Sequence, residues 1–348
     1  MTTFPQPPRD TPDRSIRDSL QNVDNLRAFL RRAVPQLADA FVYDQARLLD
    51  REFPLDDWRG READLPFEIP YRFGEETRLA LVFLLLEHQS ETDPLMPLRL
   101  FYFLAIYWER QWRAWEKLDK PRPPFRLNPV LPIVLYTGEA PWGSNRSIKD
   151  LLDEPELFHA FAPSWTPLYW NLADHTAEEL LQSNEAWLQA LAVVRARHAA
   201  APAFDVVYAE AMRCLETLRG QDRARWYDLL RLVLGWALHS RPAAEHQELV
   251  TLARASQAQA ESQLEVDTMA QTIAESLVER GMEKGMEKGM EKGQLTESRE
   301  MLKRLLKRRF GTLPEPVLHR IESTTDLECL RSRVEEVSEL RALDELEL

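Results

Sequence analysis

The sequence predicts an α/β fold, with a mixed central sheet flanked by helices, then an all-helical extension and a small helical C-terminal module. Three observations predict it. DLPFEIPYR and RLALVFLLLE flank a turn-like FGEE, the pattern of a β-hairpin joined near Gly74. The run from Pro94 to Leu118 places Leu98, Phe101, Tyr102, Ala105, Trp108, Trp112 and Trp115 at the spacing of one face of a long helix. NPVLPIVLYTG then supplies a short β-rich run ended by Gly138. A strand, helix, strand order makes this connection a crossover, which lays the long helix on one face of the sheet.

The remaining elements follow in chain order. Residues 1–20 are rich in Pro, Asp and Arg without apolar periodicity, and read as a loose tail. Asp24 as N-cap, followed by Leu26, Phe29, Leu30 and Val34, predicts a first helix to about Pro35. A short amphipathic stretch follows from Phe41 to Leu49. In the hairpin, LALVFLLL suits a strand buried on both faces, whereas Pro66 and Pro70 fit an edge-like or irregular first strand.

After about Asn171 strand patterns cease, and WLQALAVVRARH and WYDLLRLVLGWALHS typify a helical extension. Thr251 to Arg280 reads as a long exposed or paired helix. GMEKGMEKGMEKG, Gly281 to Gly293, repeats every four residues. At about 100° per residue its methionines form one helical stripe and its glycines another. Each glycine weakens a helix by about 1 kcal/mol relative to alanine, so the segment is either a flexible charged linker or a helix completed by a partner. Gly311 and Pro314 mark the first break of a small C-terminal module. The expected divisions are a tail at 1–20, a core at 21–170, a helical extension at 171–280, the repeat at 281–293 and the module at 294–348.

Composition narrows the function classes. The chain has 348 residues, 44% of them hydrophobic, enough for one sizeable core plus a smaller domain or for two cores. No stretch approaches the roughly 20 apolar residues of a membrane span, and MTTFPQPPRDTPDRS lacks an apolar signal region. The expectation is a cytoplasmic protein with no membrane partner. Cys214 and Cys329 sit in no CxxC or Cys/His cluster, so neither a disulfide framework nor a zinc site is predicted. A net charge of −13 argues against a protein that coats nucleic acid by bulk electrostatics. Between Leu95 and Arg126, however, seven basic residues stand against three acidic ones. Such a run is either a solvated helix face or a set of anion contacts.

The hairpin also carries chemistry. Opposite residues of an antiparallel pair project to one face. Pairing Asp64 with Glu87 centres the turn between Glu75 and Glu76, inside the segment read as a turn. Alternation then puts Gln89 on the same face, and Glu62 by parity, while His88 points away. A register shifted by two keeps Asp64, Glu87 and Gln89 together; a shift by one separates them. Two carboxylates at close range repel unless a proton or a divalent cation lies between them, and their hard oxygens suit Mg2+ or Mn2+. Charged groups at strand ends are usually just solvated. Here they directly follow LALVFLLL, where ionisable groups are costly unless they emerge at a functional edge.

LLEHQSETDPLMPLRLFYF, the VLPIVLYTGEAPW segment and the upstream READLPFEIPYR together resemble the recombination-promoting nuclease and putative transposase family, a branch of the PD-(D/E)XK nuclease superfamily. The resemblance covers roughly residues 20–170. GMEK-type tracts and a C-terminal module containing LLKRRFG are also familiar from such proteins. It implies a restriction-endonuclease-like core and a metal-dependent DNA endonuclease, a recombination-promoting or transposase-related phosphodiester hydrolase. Asp64 then takes the metal-binding aspartate position, and Glu87 and Gln89 an E-x-Q form of the acidic-x-Lys motif. DNA as partner, Mg2+ or Mn2+ as cofactor, and Arg99, Arg110 and Arg113 as phosphate contacts follow from it. Gln89 stands where the superfamily usually has lysine, and a neutral amide can only hydrogen-bond the attacking water. The competing expectation is a nuclease fold that has lost its chemistry and assembles into homo-oligomers through the C-terminal helices.

Overall fold

A computed structural model describes residues 12–49, 64–87, 92–143, 146–153, 155–158, 160–163, 165–338, 340, 342–343 and 346. They fall into two compact units, divided between Ala274 and Glu275.

The first unit is built on a five-stranded sheet. Strands β1 (Arg47–Leu48), β2 (Asp64–Phe73), β3 (Glu76–Glu87), β4 (Val130–Tyr136) and β5 (Leu168–Asn171) lie side by side in chain order. The first three are antiparallel, and β3, β4 and β5 are parallel. The mixed α/β sheet is therefore as the sequence predicts. Helix α4 (Met96–Glu116) makes the β3 to β4 crossover.

The two prolines of β2 find the edge they require. The carbonyls of Pro66 and Pro70 accept from the amides of Leu49 and Val42, outside the β2–β3 ladder. Since a strand residue's N and C=O point the same way, the missing N–H of each proline costs that ladder nothing. β1 is too short to need them. The stretch from Phe41 to Leu49 thus becomes a 3-10 turn at Tyr43–Gln45 and this edge strand.

Alternation along the strands sorts the core into two layers. Leu81, Phe83 and Leu85 of β3 pack with Val134 and Tyr136 against Met96, Leu100, Phe103 and Tyr107 of α4. Phe83 and Phe103 stack at 3.6 Å. On the other face, Leu65, Phe67, Ile69, Val82, Leu84, Ile133 and Leu135 join a much larger core. It is supplied by α1 (Pro12–Leu20), α2 (Val23–Ala33), α6 (Ala177–Leu181), α7 (Ala186–Ala196), α8 (Ala201–Arg219), α9 (Arg223–Ser240) and α10 (His246–Ala255). Two short helices, α3 (Pro35–Ala38) and α5 (Pro155–Phe158), sit in the connections.

Three expectations are corrected here. Residues 12–20 are helix α1 and not a tail, while residues 1–11 lie outside the described ones. Ile16 and Leu20 are buried one turn apart, and the Ser19 hydroxyl accepts from Trp187 Nε1 at 2.8 Å while donating to Ile16 O. Ser19 O in turn accepts from Asn25 Nδ2 at 2.8 Å, and Asn25 Oδ1 from Arg225 Nε at 2.7 Å. This chain satisfies polar groups buried where α1, α2, α7 and α9 meet. Second, the cap of α2 is Asn22, which accepts from Asp24 N and Asn25 N; Asp24 pairs instead with Arg27. Third, the all-helical extension after Asn171 does not pack apart from the sheet. Trp187, Phe204, Trp226 and Trp236 lie in one core with the sheet, so the boundary drawn at 170 moves to Ala274.

Helix α11 (Ala260–Phe310) contains the repeat in helical form. Met282, Met286 and Met290 are 68%, 71% and 58% exposed, and a Cβ on Gly281, Gly285, Gly289 or Gly293 would meet nothing within 4 Å. The second unit has its own core, in which Leu302 and Leu306 meet Val317 and Ile321 of α12 (Glu315–Ser323) and Leu330 of α13 (Leu327–Glu336). Gly311, at φ +82°, ends α11 in the left-handed conformation glycine favours.

Candidate functional site

The observed hairpin register is Asp64 opposite Leu85 and Phe73 opposite Glu76. The turn is therefore Gly74–Glu75, one residue earlier than the pairing of Asp64 with Glu87 required. The physical reason is Gly74, whose φ of +62° serves the first position of a two-residue hairpin turn. The shift is by two in pairing, so parity survives. Asp64 and Glu87 register on the same face, as diagonal neighbours whose Cα atoms lie about 7–8 Å apart in such a ladder. Since Leu85 belongs to the layer under α4, this is the α4 face. Gln89, His88 and Glu62 lie outside the described residues, and of Asp64 and Glu87 only the backbone positions are described. Among the described residues no group of three or more His, Cys, Asp or Glu is placed to hold a metal ion.

The parallel strands end together here. Glu87 registers with Tyr136 on β4, and Tyr136 with Asn171 on β5. Carboxyl ends of parallel strands, with a crossover helix starting above them, form the usual crevice for ligands in α/β sheets. Asp93 shapes the entry to α4. One of its oxygens accepts from Leu95 N at 2.9 Å and the other pairs with Arg99 at 3.2 Å. The pair is largely buried, at 10% and 14% side-chain exposure for Arg99 and Asp93, which holds the guanidinium in place on the first turn of α4.

Arg110 and Arg113 are placed differently. At 1.5 Å per residue they lie about 16 and 21 Å further along α4 than Arg99. Both are exposed, and Arg113 pairs with Glu109 at 2.6 Å. They belong to the end of α4 where Trp108 Nε1 donates to Asn128 O, and the structure does not bring them to the Asp64 end.

Sequence reading missed the wall of this crevice. Tyr136, Trp142 and Tyr169 form a cluster, with Tyr136 and Trp142 at 5.1 Å edge-to-face and Trp142 and Tyr169 at 4.8 Å. A Cβ at Gly138 would fall 2.2 Å from Tyr136 Oη, so only glycine admits the ring there. The Arg146 guanidinium lies over the Tyr169 ring at 5.9 Å. Burial pushes the Tyr169 hydroxyl well above the usual tyrosine range, keeping it a neutral donor. Tyr169 Oη and Asn171 Oδ1 are buried and have no hydrogen-bond partner among the described residues. The one sequence signal was Gly138 in YTGEAPW, which marks a close approach as well as a strand end.

Chemically, the sheet end offers two carboxylate positions on one face, a guanidinium fixed on the first turn of the crossover helix, and an aromatic cluster with an unused hydroxyl. No helix among the described residues is long and apolar enough to cross a membrane. No curated protein and no solved structure matches the chain. A family model does: the family described as "Putative transposase, YhgA-like" matches residues 11–223. The match agrees with the resemblance read from the hairpin and YTGEAPW segments, and it runs past residue 170 through α8 to Arg223, the first residue of α9. Since it covers more than half of the chain, the protein belongs to the YhgA-like transposase family.

Proposed function

We propose that the protein is a divalent-metal-dependent DNA endonuclease that hydrolyses phosphodiester bonds and acts in recombination or transposition. The observation that carries this reading is the register, which sets Asp64 and Glu87 on one face at the carboxyl end of the parallel strands. Their donor chemistry fits the cation: hard, anionic oxygens that leave positions open suit Mg2+ or Mn2+ and suit no soft metal. A cation held there would supply polarisation of a phosphate and a water of lowered pKa. Asp64 and Glu87 hold it, and Gln89 orients the attacking water through its amide. Arg99, kept in place by Asp93, contacts a phosphate oxygen of the bound strand. Strand transfer requires the same groups and differs only in the nucleophile.

Plasmid nicking with Mg2+ or Mn2+ tests this. Asp64→Ala and Glu87→Ala each lower the cleavage rate by about 10²- to 10⁴-fold, the worth of several kcal/mol of charge stabilisation. Variants that cleave as fast as the parent remove the site assignment.

A second reading, an oligomeric interaction module on a nuclease-type fold, is favoured by the exposed Met282, Met286 and Met290 stripe of α11. Light scattering on a chain ending at Glu279 tests it. An unchanged oligomeric mass removes the repeat and the module from any assembly role.

A further inference from the structure

The second unit contains a cationic face for which the fold has no use. Among the described lysines and arginines beyond Gln294, most are engaged within the unit. Lys303 pairs with Glu300 and Glu322, Arg331 with Glu328, and Arg333 with Glu336. Arg299, Arg309 and Arg320 donate to the carbonyls of Thr324, Ser338 and Leu346. Arg304, Lys307 and Arg308 are exposed and have no ion pair or hydrogen bond among the described residues. At about 100° per residue, Arg304 lies about 200° from both Leu302 and Leu306. The three cations, at i, i+3 and i+4, therefore form one stripe on the side of α11 opposite the core residues. The carboxylate one turn back, Glu300, is held by Lys303 at 2.9 Å. Complementing the helix dipole accounts for cations in a last turn, but does not require three exposed cations to stand together without an ion pair in a chain of net charge −13.

We propose that Arg304, Lys307 and Arg308 form a second nucleic-acid contact, binding the phosphate backbone of duplex DNA without reading its sequence. The choice of DNA as partner rests on the endonuclease reading above. The stripe spans about 6 Å of helix length, and each strand of a duplex carries one charge per about 3.4 Å of axis. It thus matches about two phosphates. Guanidiniums flanking an ammonium suit phosphate oxygens, the first through paired donors and the second as a point charge. In an acidic chain, such a local patch sets which surface an approaching duplex meets.

The test is fluorescence anisotropy of the full chain on a labelled duplex, with EDTA present so that cleavage plays no part. The R304A/K307A/R308A variant loses at least tenfold in affinity at low salt, and its plot of log K against log salt is shallower by about 2. R304K/R308K, which keeps the charge, retains the parent slope. Binding is read in EDTA and nicking with a cation present, so a failed endonuclease reading and a failed stripe give different results. If circular dichroism shows the triple variant unfolded, K307Q/R308Q is read the same way, with a slope shallower by about 1 to 2. Equal affinity and slope in parent and variants overturns the proposal, whatever the nicking assay shows. A parent that binds no duplex also overturns it, and turns attention to an acidic protein partner.

Discussion

The two faces of the sheet are built to different thicknesses. One is covered by a single helix, α4, with the largely buried Asp93–Arg99 pair at its first turn, and Asp64 and Glu87 register on this face at the carboxyl end of the parallel strands. The other is covered by helices from both ends of the unit, and holds the fully buried Trp187, Phe204, Tyr208 and Trp226. A buried large side chain contributes about 1.5–3 kcal/mol, so the thick face dominates stability. The thin face can then carry the buried Tyr169 hydroxyl without a hydrogen-bond partner among the described residues, which costs stability locally. The difference teaches where to expect loss of fold and where to expect loss of activity.

The largest effect belongs to the thick face. Trp187→Ala removes a side chain that is fully buried and hydrogen-bonded to Ser19, and lowers unfolding stability by about 3–5 kcal/mol. Chemical denaturation measures it, and a loss under 1 kcal/mol breaks the contrast between the faces. On the thin face, Gly138→Ala forces the Tyr136 ring out of its place under Trp142. Overpacking of this kind costs about 1–3 kcal/mol, and because Tyr136 registers with Glu87, nicking activity falls further than stability does. Equal falls in both would mean the aromatic wall serves packing alone.

A smaller effect, visible only in alkali, sharpens the comparison. Tyr107 of α4 donates to Glu68 at 3.3 Å and accepts from Asn128 at 3.2 Å, and burial pushes its hydroxyl up to about 12. The folded state thus holds this proton more tightly than the unfolded chain does. The stability it gives is complete below pH 10 and disappears as pH rises from about 10 to 12. Tyr43, on the other side of β2, is also raised to about 12 by burial and adds in the same window. In Tyr107→Phe the alkaline loss of stability is therefore reduced, not abolished. A variant with the parent's full pH dependence removes Tyr107 from this account.

How much of this was legible in the sequence depends on the kind of signal. Alternation along DLPFEIPYR and LALVFLLLE gave the hairpin and the shared face, because a buried face fixes parity. It did not give the register, since one glycine with positive φ decides which two residues turn. Strand β5 was missed because LYWN is four residues long and follows Pro167. Helix α1 was missed because two of its buried residues are Arg17 and Ser19, and the Ser19 hydroxyl finds its donor in Trp187, distant in sequence. The helices after Asn171 were recognised as helices, but an apolar helix face does not declare whether a sheet or another helix will cover it. At the proposed site, register parity singled out Asp64 and Glu87, and the resemblance singled out Arg99. Asp93, Tyr136 and Tyr169 were not found, because their roles come from pairing across strands and from the turn into α4.

The central claim is that Asp64 and Glu87 hold a divalent cation. Isothermal calorimetry of the full chain with Mn2+ tests it without depending on a DNA substrate. The account predicts a binding heat in the parent that Asp64→Ala and Glu87→Ala each abolish while their thermal unfolding stays near the parent's. Binding of equal strength in the parent and both variants, or no binding in a folded parent, contradicts it.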